Sequence, residues 1–208
     1  MTIFGKAVAE ILHGRPVRYS YMNGGSGGGR QSLAEAQFYP NDYDGIWASC
    51  PAINWTQFLA SGLWAVTVMN EYDHILGFHK INAFRDAVHN SVGGKENYFR
   101  VEERIDFDPY TILGQKTKGG KITEKDCLVM QEIWKGPHTT GNDFLWYGFL
   151  PGGTFWNKII PIGSFYYPLI GKRPKCFSLV EQYVHLAFED PKKDLRHLKI
   201  RDFEKVFD

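Results

Sequence analysis

Apolar residues at Ile3, Phe4, Ala7, Val8, Ile11 and Leu12 fall on one face of a helix running from Thr2 to Leu12. Gly14 and Pro16 stop that run, and the expected element is a helix packed by its apolar stripe onto a sheet. From Val17 to Met22 apolar and polar residues alternate instead, which predicts a strand. The alternation gives way to a glycine run, Gly24 to Gly29, interrupted only by Ser26. Arg30 to Tyr39 then supplies good helix formers, among them Leu33, Ala34, Glu35, Ala36 and Gln37, until Pro40 ends the segment. After a turn at Asn41 and Asp42, Gly45 to Ser49 reads as a short buried strand. The expected unit is therefore strand, tight glycine turn, helix, parallel strand.

Past Trp55 that pattern changes to helical stripes separated by irregular stretches. Thr56 to Met69 predicts an apolar helix, and Lys80 to Asn90 a second with Ile81, Phe84, Ala87 and Val88 on one stripe. Ser91 to Gly120 is polar and irregular. Thr123 with Asp126 three residues on opens a helix that Gly136 and Pro137 close. Thr139 to Pro174, rich in Gly, Pro and aromatic residues, predicts loops with short strands. Ser178 with Glu181 opens another helix, and Arg201 to Phe207 forms a short last one.

The glycine run contains G-x-S-x-G centred on Ser26, in the strand–turn–helix context that gives this pattern chemical meaning. A serine on such a turn is forced into a strained backbone conformation, and neighbours without side chains relieve the collision. Its hydroxyl is exposed, and the amide of the next residue, Gly27, points to where the oxyanion of a tetrahedral intermediate forms. The helix that follows adds the positive end of its dipole. Two other readings fit less well. A Gly/Ser linker rarely sits between a strand and a strong helix. A phosphate loop needs Lys and Ser/Thr where this chain has Arg30 and Gln31.

The run GGSGGGRQSLAEAQFYPNDYDGIWASCPAINW, from Gly24 to Trp55, resembles the elbow region of the tannase and feruloyl esterase family of α/β-hydrolases, with its G-C-S-x-G-G-R-Q, E-A-Q, Pro, D-[YF]-D-G-I and A-P-A-x-N-W. Weaker likeness continues through DFDPYTILG, QEIWKGP, FLWYG and EDPKKDLRHL. The resemblance implies an α/β chain: a partial α/β-hydrolase core over residues 1–55, made of a helix plus a βαβ elbow unit, then a large, mostly helical lid domain over residues 56–208. It implies a serine esterase acting on esters of hydroxylated aromatic acids, with Ser26 as nucleophile and Gly27 N–H in the oxyanion hole. It also implies further strands before the first helix, a second oxyanion amide from an upstream loop, and a triad Asp and His after Asp208. The 208 residues are thus expected to be an incomplete member.

Two departures from the family pattern carry expectations of their own. The family's cysteine before the nucleophile is Gly25 here. Where the family has a calcium loop, this chain has VHNSVGGKEN, with His89, Val92 and Glu96 at the acidic positions. One carboxylate cannot hold a cation that takes six to eight oxygens, so no bound calcium and no other cofactor is expected.

Net charge of +1 and a sequence pI of 7.7 give no argument for nucleic acid, and the basic residues from Lys192 to Arg201 are interleaved with Asp190, Asp194 and Asp202. No apolar run reaches membrane-spanning length and no secretory leader opens the chain, so a soluble protein with no membrane partner is expected; the resemblance is to proteins that are usually secreted. Three cysteines, Cys50, Cys127 and Cys176, lack metal spacing and read as small buried hydrophobes. None of the seven histidines, His13, His74, His79, His89, His138, His185 and His197, has a motif around it, and each reads as structural, as does Asp143. Trp146 and Tyr147 suit an aromatic wall for a planar substrate or, more simply, core packing. Two functions stay open: the esterase, whose partner is a small aromatic ester, and a non-catalytic fragment or binding module lacking the triad Asp and His. In either case the strand side chains Val17, Tyr19, Tyr21, Ile46 and Trp47 would lie open to water or to another copy of the chain.

Overall fold

A computed structural model describes residues 1–94, 105–153 and 198–207. The chain forms two compact units, Met1–Phe58 and Leu59–Asp208, and passes from one to the other within a helix, Trp55–Ser61.

In the first unit, helix α1 covers Thr2–His13 and ends on Gly14 in the left-handed conformation, the stop expected of a glycine there. Strand β1 is Tyr21–Gly25, helix α2 is Gly27–Phe38 and strand β2 is Gly45–Ser49. The two strands pair in parallel, with Tyr21 opposite Gly45, Asn23 opposite Trp47 and Gly25 opposite Ser49. Asp44 fixes the entry: its carboxylate accepts from Ser20 N at 2.7 Å while its own N–H donates to the Ser20 carbonyl at 2.8 Å.

Three expectations for this unit are corrected. The first strand lies later than the Val17–Met22 alternation suggested, because Gly24 and Gly25 pair with Ala48 and Ser49 and take the strand to the edge of the serine. Helix α2 begins at Gly27, not Arg30, so its first turn is built from three glycines. Finally, α1 buries none of its residues: Ile3, Phe4, Val8, Ile11 and Leu12 are exposed. Its polar side holds it, through Thr2 Oγ1 to the Tyr43 hydroxyl at 2.8 Å and Lys6 Nζ to the Asp42 carbonyl at 2.5 Å.

Glycine is required at two positions of this unit by close approach. A Cβ on Gly24 would stand 2.2 Å from the Gly28 carbonyl oxygen, and one on Gly29 2.6 Å from the Ser49 carbonyl oxygen and 2.9 Å from Pro51 Cα. These contacts let α2 sit directly on β1 and on the loop that leaves β2. Gly29→Ala is therefore expected to cost about 1–3 kcal/mol, as overpacking against backbone does. A lowered urea midpoint for the first unit is the check; an unchanged midpoint would mean that the loop yields freely.

The described residues of the second unit are mostly helical. Among them the helices are α3 (Trp55–Ser61, entered from the first unit), α4 (Trp64–Glu71), α5 (Phe78–Ser91), α6 (Glu124–Lys135) and α7 (Ile200–Phe207). The single helix expected over Thr56–Met69 is two, broken at Gly62 and Leu63. The stretch read as irregular holds a 3-10 turn at Pro109–Ile112 and a small hairpin, β3 (Lys116–Thr117) with β4 (Gly120–Lys121). Core residues Trp64, Phe84, Met130, Ile133, Leu198 and Phe203 are fully buried. Trp64 anchors them, with its ring edge-on to Phe203 and its Nε1 donating to the Glu132 carbonyl at 2.9 Å. The helix expected from Ser178 lies outside the described residues.

Thr123 and Asp126 form the reciprocal cap that the sequence predicts for α6. Asp126 is fully buried and does more than cap, for it also accepts from His74 Nε2 at 2.8 Å and Lys80 Nζ at 2.6 Å. One carboxylate thus ties α6 to α5 and to the loop before it.

Candidate active site

Ser26 stands between the last residue of β1 and the first of α2, with φ 56° and ψ −116°. That conformation is left-handed in φ and is disfavoured for a residue with a Cβ. It follows from the local sequence: a strand must turn into a helix within one residue, and glycines on both sides remove the side chains that would collide. Ser26 is exposed, and its side chain makes no capping bond to α2. The first-turn N–H groups of α2, Gly27 first, are thus left without a capping bond from the Ser26 side chain.

Three backbone hydrogen bonds hold the turn. Ser26 N–H donates to the Ser49 carbonyl at 3.0 Å, and the Ser26 carbonyl accepts from Arg30 N and from Ala52 N, both at 3.1 Å. The loop leaving β2 is thus stitched to the serine from two directions. That loop carries two further residues of positive φ, Cys50 at 36° and Asn54 at 49°. At its far end the Arg30 guanidinium lies over the Trp55 ring, 4.6 Å from its centroid. The sequence pattern gave no sign that Ser49, Ala52, Arg30 and Trp55 serve the serine turn. Asn54 alone carried a local signal, since asparagine tolerates the left-handed region.

The remaining candidates lie elsewhere. Cys50 is exposed rather than buried, because it sits on this loop; Cys127 is buried and Cys176 lies outside the described residues. Burial pushes the Cys127 thiol above its ordinary range, with Asp126, Asp108 and Glu124 adding to it. His138 is engaged within the second unit: Nδ1 on the Gly136 carbonyl at 2.8 Å, Nε2 on Glu132 at 3.2 Å, and its ring edge-on to Trp64. It borders a cleft of about 580 Å³ that Glu71, Tyr72, Lys135 and Arg201 also line. There burial, and then Glu132 and Glu71, push the Tyr72 phenol above its ordinary range. Asp143 accepts from Thr139 Oγ1 at 3.1 Å, and Trp146 stacks obliquely on Phe207 at 5.9 Å. His89 contacts the Gly152 carbonyl at 2.9 Å and Val92 caps α5, while Glu96, His185 and His197 lie outside the described residues.

Known proteins resemble the chain in sequence and in fold. A probable feruloyl esterase from Arthroderma benhamiae is 35% identical over 177 residues, which are 80% of this chain and 30% of that protein. A solved tannin acyl hydrolase from Aspergillus niger superposes on all of the chain with a TM-score of 0.75 at 18% identity, covering 41% of its own length. Feruloyl esterase B from Aspergillus oryzae gives 0.74 at 19%, over 99% of this chain and 41% of its own. The chain thus spans less than half the length of each, and the two solved structures establish the α/β fold type. The description "Tannase and feruloyl esterase" fits residues 1–101. Those residues include both parallel strands and the serine turn between β1 and α2, so it is through the nucleophile-turn region that this chain resembles the tannase and feruloyl esterase family.

Proposed function

We propose that the chain is the nucleophile-bearing part of a carboxylic ester hydrolase, with Ser26 as nucleophile and Gly27 N–H as an oxyanion donor. The observation that supports this most is the Ser26 backbone, held at positive φ between a parallel strand and a helix N-terminus with its hydroxyl exposed. In the reaction, a base takes the hydroxyl proton as Ser26 Oγ bonds to the ester carbonyl carbon. The carbonyl π electrons move onto oxygen, where Gly27 N–H and the α2 dipole stabilise them. Collapse re-forms the carbonyl and breaks the bond to the alcohol, which leaves with a proton. Water then repeats the sequence on the acyl-serine and releases the acid. The family resemblance implies a histidine held by an aspartate as that base. Residues 1–55 would be part of the hydrolase core and residues 56–208 its lid, and no calcium or other cofactor would be needed.

The substrates proposed are esters of hydroxylated aromatic acids, in line with relatives described as feruloyl esterase and tannin acyl hydrolase. The competing expectation, a non-catalytic module, differs in one measurable outcome. A fluorophosphonate, which phosphonylates activated serines with loss of fluoride, should label the full-length natural protein at Ser26, seen as a mass shift on the peptide containing Gly24–Arg30. Labelling elsewhere, or none, would favour the module.

We also propose that the 208-residue chain self-associates through its first unit. Tyr19, Tyr21 and Trp47 are each more than half exposed, as is the apolar stripe of α1. Each large apolar side chain left in water forfeits about 1.5–3 kcal/mol of burial. Size-exclusion chromatography at rising concentration should show growing association. A monodisperse monomer unfolding in one step above about 60 °C would refute it.

A further inference from the structure

We infer that Arg30 is a positioning residue for the nucleophile, acting through Trp55 to keep the β2–α3 loop closed on the serine turn. The inference rests on the reading of Ser26 as nucleophile, since that is the group positioned. Three non-glycine residues of positive φ meet here: Ser26 at 56°, Cys50 at 36° and Asn54 at 49°. Conformations of this kind persist only where the surroundings over-determine them. For Ser26 those surroundings are two loop groups, the Ser49 carbonyl that accepts its N–H and the Ala52 N–H that donates to its carbonyl. The serine therefore keeps its geometry only while residues 49–52 stay against α2.

Two adjacent residues of α2 keep them there. Gly29 is the seat: its bare backbone faces the Ser49 carbonyl and Pro51, with no room for a Cβ. Arg30 is the tie. Side chains on a helix lean toward its N-terminus, so a residue four positions after Ser26 covers the turn on which the serine stands. From there the guanidinium lies 4.6 Å from the centre of the Trp55 ring, just past the strained Asn54. A cation on an indole face is among the better contacts available to a partly exposed arginine. The Arg30 amide meanwhile donates to the same Ser26 carbonyl that Ala52 reaches. Backbone and side chain of one residue thus hold both partners of the serine, α2 from within and the loop from across.

The test uses the 208-residue protein and needs no catalysis, so it separates this inference from the nucleophile reading, which Ser26→Ala turnover judges on its own. Amide exchange at Ala52 and Ser26, with the Ser26 Cα chemical shift as a report of its φ, is measured in Arg30→Ala, Arg30→Lys, Trp55→Ala and the double alanine variant. Both single alanine variants should exchange faster at Ala52 and Ser26 by about two- to fivefold, the scale of a lost exposed cation–π contact. Their Ser26 shift should move toward ordinary φ values. The double variant should go no further than the worse single one, because one contact is lost in both. Arg30→Lys, which keeps a cation, should restore most of the protection. Wild-type exchange in Arg30→Ala, additive losses, or a lysine variant no better than alanine would each overturn the inference; α6 amides serve as the folding control.

Discussion

Ser26→Ala should lower ester turnover by the full-length natural protein by about four to six orders of magnitude, the scale lost when an acyl-forming serine is deleted. It should do so with little change in stability. The backbone N–H and carbonyl of residue 26 make the three hydrogen bonds that fix the turn, and alanine keeps all of them. The hydroxyl makes no capping bond to α2, so nothing in the helix depends on it. Alanine carries the same Cβ as serine and meets the same left-handed backbone, hence adds no new strain. The variant should also lose the fluorophosphonate adduct while still binding an aromatic ester in the ground state, so that kcat falls and KM moves little. Turnover within about tenfold of wild type would mean that another residue attacks the ester, and a collapse of stability would mean that the hydroxyl holds the fold.

How far the sequence discloses this arrangement depends on the range of the interaction concerned. The serine turn is a local matter. Glycines flank a serine between a strand pattern and a helix pattern, and each of those signals acts over a few residues. The α6 cap is likewise local, since Thr123 and Asp126 are three apart and satisfy one another's backbone donors. The displaced β1 shows where local rules fail. Glycine is a poor strand residue in isolation, yet Gly24 and Gly25 are strand because β2 offers them partners and because Gly24 alone permits α2 to approach. The break between α3 and α4 is faint for the opposite reason, as a single Gly62 after Ser61 is a weak signal inside an apolar pattern that resumes at Leu63.

The stripe on α1 has helical spacing, and the helix forms, but spacing cannot say what will cover it. The clamp on Ser26 is the least legible part. It depends on residues about twenty-five positions downstream, bound through their backbone groups, which the side-chain sequence does not encode directly. Even Cys50, whose type suggested burial, lies exposed at positive φ on the loop leaving β2, a placement that no cysteine pattern announces. Asp126 is half legible in the same sense: its capping role can be read, whereas its bonds to His74 and Lys80 come only with the packing of α5 against the turn before α6.

Those bonds make Asp126→Ala the most damaging single change expected in the second unit. The carboxylate is fully buried and receives four donors, namely His74 Nε2, Lys80 Nζ, Thr123 N and Thr123 Oγ1. Removing it leaves the mostly buried Lys80 ammonium without its counter-ion and the first turn of α6 without its cap. Breaking a buried pair from one side costs about 3–5 kcal/mol. Urea unfolding followed by tryptophan fluorescence should show that loss. Replacing Lys80 by methionine in the same background should recover part of it, because the uncompensated charge goes with it. Acid gives an independent check. Burial pushes the Asp126 carboxyl upward, but its hydrogen bonds from Lys80, His74 and Thr123 outweigh that and hold it below the ordinary carboxylate range. A carboxyl lowered on folding contributes stability that is fully present above its unfolded pKa of about 3.9 and is lost as pH falls toward the folded value. The wild-type advantage over Asp126→Ala should therefore be level from about pH 7 to pH 5 and shrink below about pH 4. An advantage that stays constant down to pH 3 would show that the Asp126 charge is not what binds α5 to α6.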